Sequence, residues 1–399
     1  MRRRDFLKNT ALASGAFLIP AFLKPLEALA QSDVTGYKNL VIIQLSGGND
    51  GLNTVIPFGN DIYYQKRSTI AINQADIIKL NDIQGFNPSL SALKEIYDQG
   101  WMSIINSVGY PNPDRSHFRS MDIWQTASDS NQFLTTGWIG RYLDSNCQTC
   151  KNPYTAIEVD DTLSLAMKGA TMKGIAVQDP NKLYQETREP FFKDLVHDHN
   201  NEHLNEDNLG YLYKTMIETY SSADYIQQTS KTYNVTAQYP ATQLGNQLKT
   251  VSKFINSGLN TRVYYVSLSG FDTHVGQQNQ QNRQLQVYGD AVAAFIKDLK
   301  QTGKLDDTLV MTFSEFGRRV EQNASNGTDH GTANNIMLFG GKLKKAGIFN
   351  DAPNLTDLDN GDLKYQVDFR DVYATLLDKW LDVNNSQVLT KSFNGLGFI

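Results

Sequence analysis

The chain has 399 residues, 40% hydrophobic and 20% charged, with 37 basic and 42 acidic side chains and a formal net charge of -5 at pH 7. That length buries a large core, as one α/β domain or as a main domain with a substantial insertion. The acidic balance argues against a nucleic-acid-binding surface.

The first element is an address. Arg3, Arg4, Phe6, Leu7 and Lys8 read as a twin-arginine export signal. A weakly apolar run over 10–23 follows, shorter than the roughly 18 residues that span a bilayer, and then Ala28-Leu29-Ala30, whose small-x-small form suits signal peptidase. Residues 1–30 are therefore expected to be removed, and 31–399 to be the mature domain. The leader carries five basic and two acidic side chains, so its loss takes the net charge from -5 to -8. The expected partner during export is the twin-arginine translocase and the expected destination the periplasm, with no stable membrane span after processing. An uncleaved amphipathic anchor is the alternative.

From 39 to about 178, short apolar runs alternate with helical patterns. Residues 41–45, 102–108, 154–159 and 174–177 read as strands, and 89–99 and 116–127 as helices. Cys147 and Cys150, the two cysteines of the chain, stand in Cys-Gln-Thr-Cys. Export favours a local disulfide, with a dithiol redox site or half of a zinc site as alternatives. From about 179 to 260 the pattern turns helical, over 188–227 and 242–259, and predicts an insertion or lid. Its His197, His199 and His203 read as an exposed polar run. Strand patterns return at 262–268, 308–313 and 335–339, flanked by helices at 281–301 and 369–380. This is the rhythm of a layered α/β domain.

Metal-capable side chains fall just beyond the strands. Asp50 follows the first strand in Ser-Gly-Gly-Asn-Asp-Gly; Asp272 and His274 follow the strand ending at 268; Glu315 follows the one ending at 313; His330 precedes the last. Loops at the carboxyl ends of strands in an open α/β sheet share a crevice. One ion is expected on Asp272, His274 and His330, and a second on Asp50 and Glu315, as one or two divalent metals, zinc or manganese. Against this, Asp50 also suits a turn cap, and Glu315 an ion pair with Arg318 or Arg319.

Ser116 opens a helix in Asp114-Arg115-Ser116-His117-Phe118-Arg119. It reads either as a nucleophile, bound to metal and facing the positive end of the helix dipole, or as an ordinary N-cap. Arg115 and Arg119 are candidate clamps for phosphate or sulfate oxygens. His117 is a candidate general acid or base, or a structural hydrogen-bonding residue.

The segments Arg-Arg-Asp-Phe-Leu-Lys, Leu-Ser-Gly-Gly-Asn-Asp-Gly-Leu-Asn-Thr at 45–54, Ser-His-Phe at 116–118, Phe-Asp-Thr-His at 271–274, Ser-Glu-Phe-Gly-Arg at 314–318 and Asp-His-Gly at 329–331 together resemble the DUF1501 family. Its members are twin-arginine-exported relatives of the alkaline phosphatase and sulfatase superfamily. The resemblance implies a three-layer α/β core sheet with flanking helices and a helical insertion. It implies Ser116 as nucleophile and metal ligand, Asp50, Asp272, His274 and His330 as ligands, and Glu315 in place of a further carboxylate ligand. Two features depart from the superfamily pattern. Glu315-Phe316 stands where an Asp-His pair is common, and Asp272 and His274 are two apart rather than four. A phosphate or sulfate ester, or an anionic polymer, is the implied substrate, and a protein of the DUF1800 family an implied partner. The functional expectations are an exported metal-dependent hydrolase or a noncatalytic binding or assembly protein on the same fold.

Overall fold

The computed structural model describes residues 37–145, 152–197 and 208–399. The expected twin-arginine segment and the cleavage expected after Ala30, the Cys147–Cys150 pair, and His199 and His203 lie outside the described residues, as does the His197 side chain. No helix among the described residues is long and apolar enough to cross a membrane.

The main sheet is built from β1 (Asn39–Leu45), β2 (Met102–Gly109), β3 (Ala156–Glu158), β4 (Ile175–Ala176), β5 (Val263–Leu268), β6 (Thr308–Phe313), β7 (Asn334–Phe339), β8 (Gly347–Ile348) and β9 (Val367–Asp368). Its order is β8-β2-β7-β6-β1-β5-β3-β4, with β9 pairing alongside β2. The central strands β1 and β6 are buried along their whole length, which explains why they read as continuous apolar runs rather than alternating ones.

Pairing is parallel from β6 through β1, β5 and β3 to β4. β7 runs antiparallel to both β6 and β2. With that one strand reversed, the carboxyl ends of β1, β2, β5 and β6 and the amino end of β7 share an edge. The β6–β7 loop, which holds both Glu315 and His330, thereby meets the loop holding Asp272 and the helix start at His117.

Helices cover both faces. On one, α1 (His117–Thr126), a helix at Trp138–Asp144 and a carboxyl-terminal helix at Phe369–Thr375 pack with Leu40, Ile42, Tyr265, Met311 and Leu338. On the other lie the helices Gln243–Asn256 and Gln277–Gln301. There Phe254 stacks on Tyr264 at 6.3 Å, and the Tyr288 hydroxyl donates to Thr312 Oγ1 at 2.9 Å. Neighbouring Tyr264 and Tyr265 thus serve opposite faces, as strand geometry requires. The core is a mixed α/β sheet between two helical layers, as an alkaline-phosphatase-like three-layer fold requires.

The helical region divides. The described residues of 181–225 belong to a separate compact unit, in which Arg188 pairs with Asp224 at 2.8 Å and stacks on Tyr220 at 3.7 Å. The helix Gln243–Asn256 belongs to the main unit, where Gln247 Nε2 donates to the Val159 carbonyl at 2.8 Å. The expected helix over 89–99 is two short pieces, Pro88–Leu93 and Lys94–Asp98, interrupted by non-helical geometry at Leu90.

Candidate metal centre

Two glycines let the loops converge. Gly47 and Gly48 follow β1 with φ of 114° and 69°, a region that side-chain-bearing residues rarely enter. A Cβ on Gly47 would stand 2.5 Å from the Asp272 amide nitrogen, and one on Gly48 2.3 Å from the Phe316 ring. The β1 loop can therefore lie directly against the loops that present Asp272 and Phe316.

Arg318 ties these loops together. It is 1% exposed and donates to the carbonyls of Gly48 at 2.7 Å, Thr328 at 2.9 Å and Phe271 at 3.1 Å, to the Gly47 carbonyl, and to Asp272 Oδ1 at 2.7 Å. Its donors are thus satisfied, as a buried guanidinium requires. Burial works to raise the Asp272 pKa. The hydrogen bond and charge of Arg318, with His274 and His117 nearby, overcome this and bring it to about 2.

His117, Asp272 and His330 offer ligand atoms that all lie within 4.8 Å of one another. His117 Nδ1 bonds Glu315 Oε1 at 2.9 Å, which raises the imidazole pKa against the opposing effect of burial. Glu315 is fully buried and also accepts from the Gly47 amide at 2.8 Å. With Nδ1 donating to that carboxylate, the buried Nε2 is left with a lone pair, and it has no hydrogen-bond partner among the described residues. It faces Asp272 Oδ2 at 3.6 Å.

His330 follows the same plan, its Nδ1 donating to the Arg115 carbonyl at 2.7 Å. Burial lowers its pKa, favouring the neutral ring that a metal needs. His274 Nδ1 stands 3.3 Å from Asp329 Oδ1, and its Nε2 is 2.9 Å from His330 Nε2 and 3.1 Å from Asp272 Oδ1. Once both rings donate through Nδ1, two lone pairs face each other across 2.9 Å. That arrangement is repulsive unless a proton or a metal cation lies between them. A carboxylate or carbonyl fixing one imidazole nitrogen while the other points at a common centre is the usual design of a histidine metal site. The donor set of imidazoles and a carboxylate fits zinc well.

The other expected site residues stand as follows. Asp50 is fully buried and ion-paired to fully buried Arg67, with further hydrogen bonds from Gln277 Nε2 and the Leu52 amide. Glu315 holds His117 from behind. Ser116 is the exposed N-cap residue of α1; its hydroxyl makes no capping bond, and its amide donates to Asp114 Oδ1 at 2.7 Å. Arg115 pairs with buried Asp362, while Arg119 donates to the carbonyls of Asp129, Ser130 and Gln132. Sequence reasoning did not foresee Arg318 as the clasp, Asp329 as the orienter of His274, or Phe316 as the ring packed at a tilt 4.8 Å from both His117 and His330. The motifs Ser-Glu-Phe-Gly-Arg and Asp-His-Gly contain all three, but a motif does not reveal which partner each side chain meets.

No curated protein matches the chain in sequence. Among solved structures, a sulfatase from Pseudoalteromonas sp. is similar at 13% identity and a TM-score of 0.41, over 94% of this chain and 72% of that one. A lipoteichoic acid synthase from Listeria monocytogenes is similar at 10% identity and 0.37, over 79% and 68%. A protein in the alkaline phosphatase superfamily from Vibrio parahaemolyticus is similar at 10% identity and 0.36, over 90% and 70%. Residues 107–398 match the family described as "Protein of unknown function (DUF1501)". That match spans more than half of the chain and takes in His117, Asp272, His274 and His330: the chain belongs to the DUF1501 family.

Proposed function

We propose that this chain is an exported, metal-dependent hydrolase of phosphate or sulfate esters, with a divalent cation, zinc before manganese, held by His117, His274, His330 and Asp272. The observation that carries the reading is the unpartnered, buried Nε2 of His117, facing Asp272 in a cluster where two further imidazole nitrogens converge. Bound there, the cation would supply Lewis-acid polarisation of the ester oxygens.

The chain's own groups have the remaining roles. Ser116 is the proposed nucleophile, with a hydroxyl exempt from capping and the first-turn amides of α1 favouring an anionic group beside it. Glu315 and the Arg115 carbonyl hold the His117 and His330 rings in place. Arg318 keeps Asp272 ionised. The twin-arginine motif supports export to the periplasm. That route carries folded proteins, which suits a site assembled from residues 117 to 330.

The test is metal analysis of the purified protein together with turnover of p-nitrophenyl phosphate and p-nitrophenyl sulfate. Asp272→Asn should abolish both zinc retention and turnover, whereas Ser116→Ala should abolish turnover alone. A chain that binds no divalent metal after purification and zinc titration would sink the reading; turnover by Ser116→Ala would remove only the nucleophile assignment.

A further inference from the structure

A cavity of about 370 Å³ adjoins the histidine cluster, lined by Tyr110, Trp124, Phe316 and Tyr365 among others. Its volume lies within the roughly 300–1,000 Å³ of small-molecule sites. Phe316 is shared: its ring contacts His117 and His330, and it also lines the cavity. Pro113 lines it as well, three residues before Ser116 in the chain, and Thr332 lies two residues after His330. A molecule with its anionic group at the cluster can therefore extend into this cavity.

The lining says what it takes. Aromatic and aliphatic side chains predominate, and Tyr365 is 40% exposed at the rim. Trp124 is 2% exposed, stacked on Phe313 at 4.9 Å and on Phe369 at 4.3 Å, and so fixed in position. Its indole Nε1–H is buried without a hydrogen-bond partner. It is closed to the cavity as it is to solvent, so the ring contributes only apolar surface there. The Tyr110 hydroxyl, by contrast, is engaged with Ser120 at 3.0 Å, and the Thr332 hydroxyl with the Leu363 carbonyl.

We infer that the cavity receives the organic part of the substrate, a six-membered ring with an apolar face, as in an aryl or glycosyl ester, packed against Tyr365 at the rim. This inference rests on the hydrolase reading for the placement of the anionic group. Short acyclic esters, which leave the cavity unfilled, are then poor ligands.

The experiment compares phenylphosphonate, the C-glycosyl phosphonate of glucose and methylphosphonate by calorimetry on the zinc-loaded chain. A ring phosphonate should bind about tenfold more tightly than methylphosphonate, an advantage that falls to about threefold or less in Tyr365→Ala. The relative affinities of phenylphosphonate and the glycosyl probe separate the two ring sources. In parallel, phenol and methyl glucoside, which carry no anionic group, are titrated against the tryptophan fluorescence of wild type and Trp124→Phe without added metal. Ring binding without zinc uptake removes the hydrolase reading and keeps the cavity. Zinc uptake with equal affinity for ring and methyl probes, or a ring advantage unchanged in Tyr365→Ala, overturns the cavity assignment and keeps the hydrolase.

Discussion

At the scale of single residues, the roles at the centre are set by the atom on the far side of each ring. Glu315, 198 positions from His117, decides which imidazole nitrogen turns inward, and no spacing rule in the sequence could have linked them. Removing such a supporting carboxylate from a metal site costs roughly 10- to 100-fold in affinity. Glu315→Ala should therefore weaken zinc binding by that order in a competition titration with a chromogenic chelator, and unchanged affinity would remove Glu315 from the supporting role. Proton competition gives a second prediction. The His117 pKa is raised and Asp272 is held at about 2, so protons displace the metal from the imidazoles while the carboxylate stays ionised. Zinc affinity should fall as pH drops through the histidine range, more steeply in wild type than in His117→Ala.

Elsewhere a buried carboxylate works against the fold. Glu158, at the end of β3, is 6% exposed and accepts from the Ser164 amide at 2.7 Å. Burial pushes its pKa from 4.5 up to about 7, despite the opposing Ser164 contacts. With the folded value above the unfolded one, the stabilisation is complete below about 4.5 and is lost as pH rises through 7. Glu158→Gln should therefore gain on wild type at pH 8, by up to about 3 kcal/mol, with the difference vanishing near pH 4. Urea denaturation at the two pH values measures it.

At the scale of elements, the strands were legible because strands covered by helices on both faces are largely apolar. The expected strands at 308–313 and 335–339 differ from the observed β6 and β7 by at most one residue. The segment 89–99 was less legible, since its apolar spacing carries no sign of the break at Leu90. Nor could the turn chemistry of Ser-Gly-Gly-Asn-Asp-Gly show that Asp50 meets an arginine 17 residues on; burial of both groups brings the pair together. The glycines of that loop were visible, but their reason was not. In Gly48→Ala the new methyl meets the Phe316 ring in a left-handed backbone, at a cost of about 1–3 kcal/mol. The displaced ring also disturbs His117 and His330. Lower thermal stability together with weaker zinc binding is expected, and an intact zinc affinity would show that the ring does not support the histidines.

At the scale of the whole molecule, the edge where the loops meet follows from topology. The order of strands and the single reversed strand β7 could not be read from apolar periodicity, which gives strands but not their neighbours. The cavity beside the centre was invisible for the same reason, since its walls come from around 109–113, 332–333 and 359–365 and share no motif. Because the proposed ligands come from three segments, those after β2 and β5 and the one between β6 and β7, occupancy should stabilise the main unit as a whole. A cation at 1,000 times its dissociation constant adds about 4 kcal/mol, so the melting temperature should fall by several degrees on chelation and return with zinc. A melting temperature indifferent to chelation would mean that the cluster binds no metal tightly.

The facing nitrogens of His274 and His330, 2.9 Å apart, carry one more consequence. Each Nδ1 faces its own acceptor, Asp329 for His274 and the Arg115 carbonyl for His330, so the two Nε2 lone pairs point at one another. A cation between them turns that repulsion into two bonds, and chelation should therefore let the rings part. Imidazole resonances that shift or broaden on chelation and return with zinc would show it by nuclear magnetic resonance; resonances indifferent to zinc would mean that the rings hold their places without an ion.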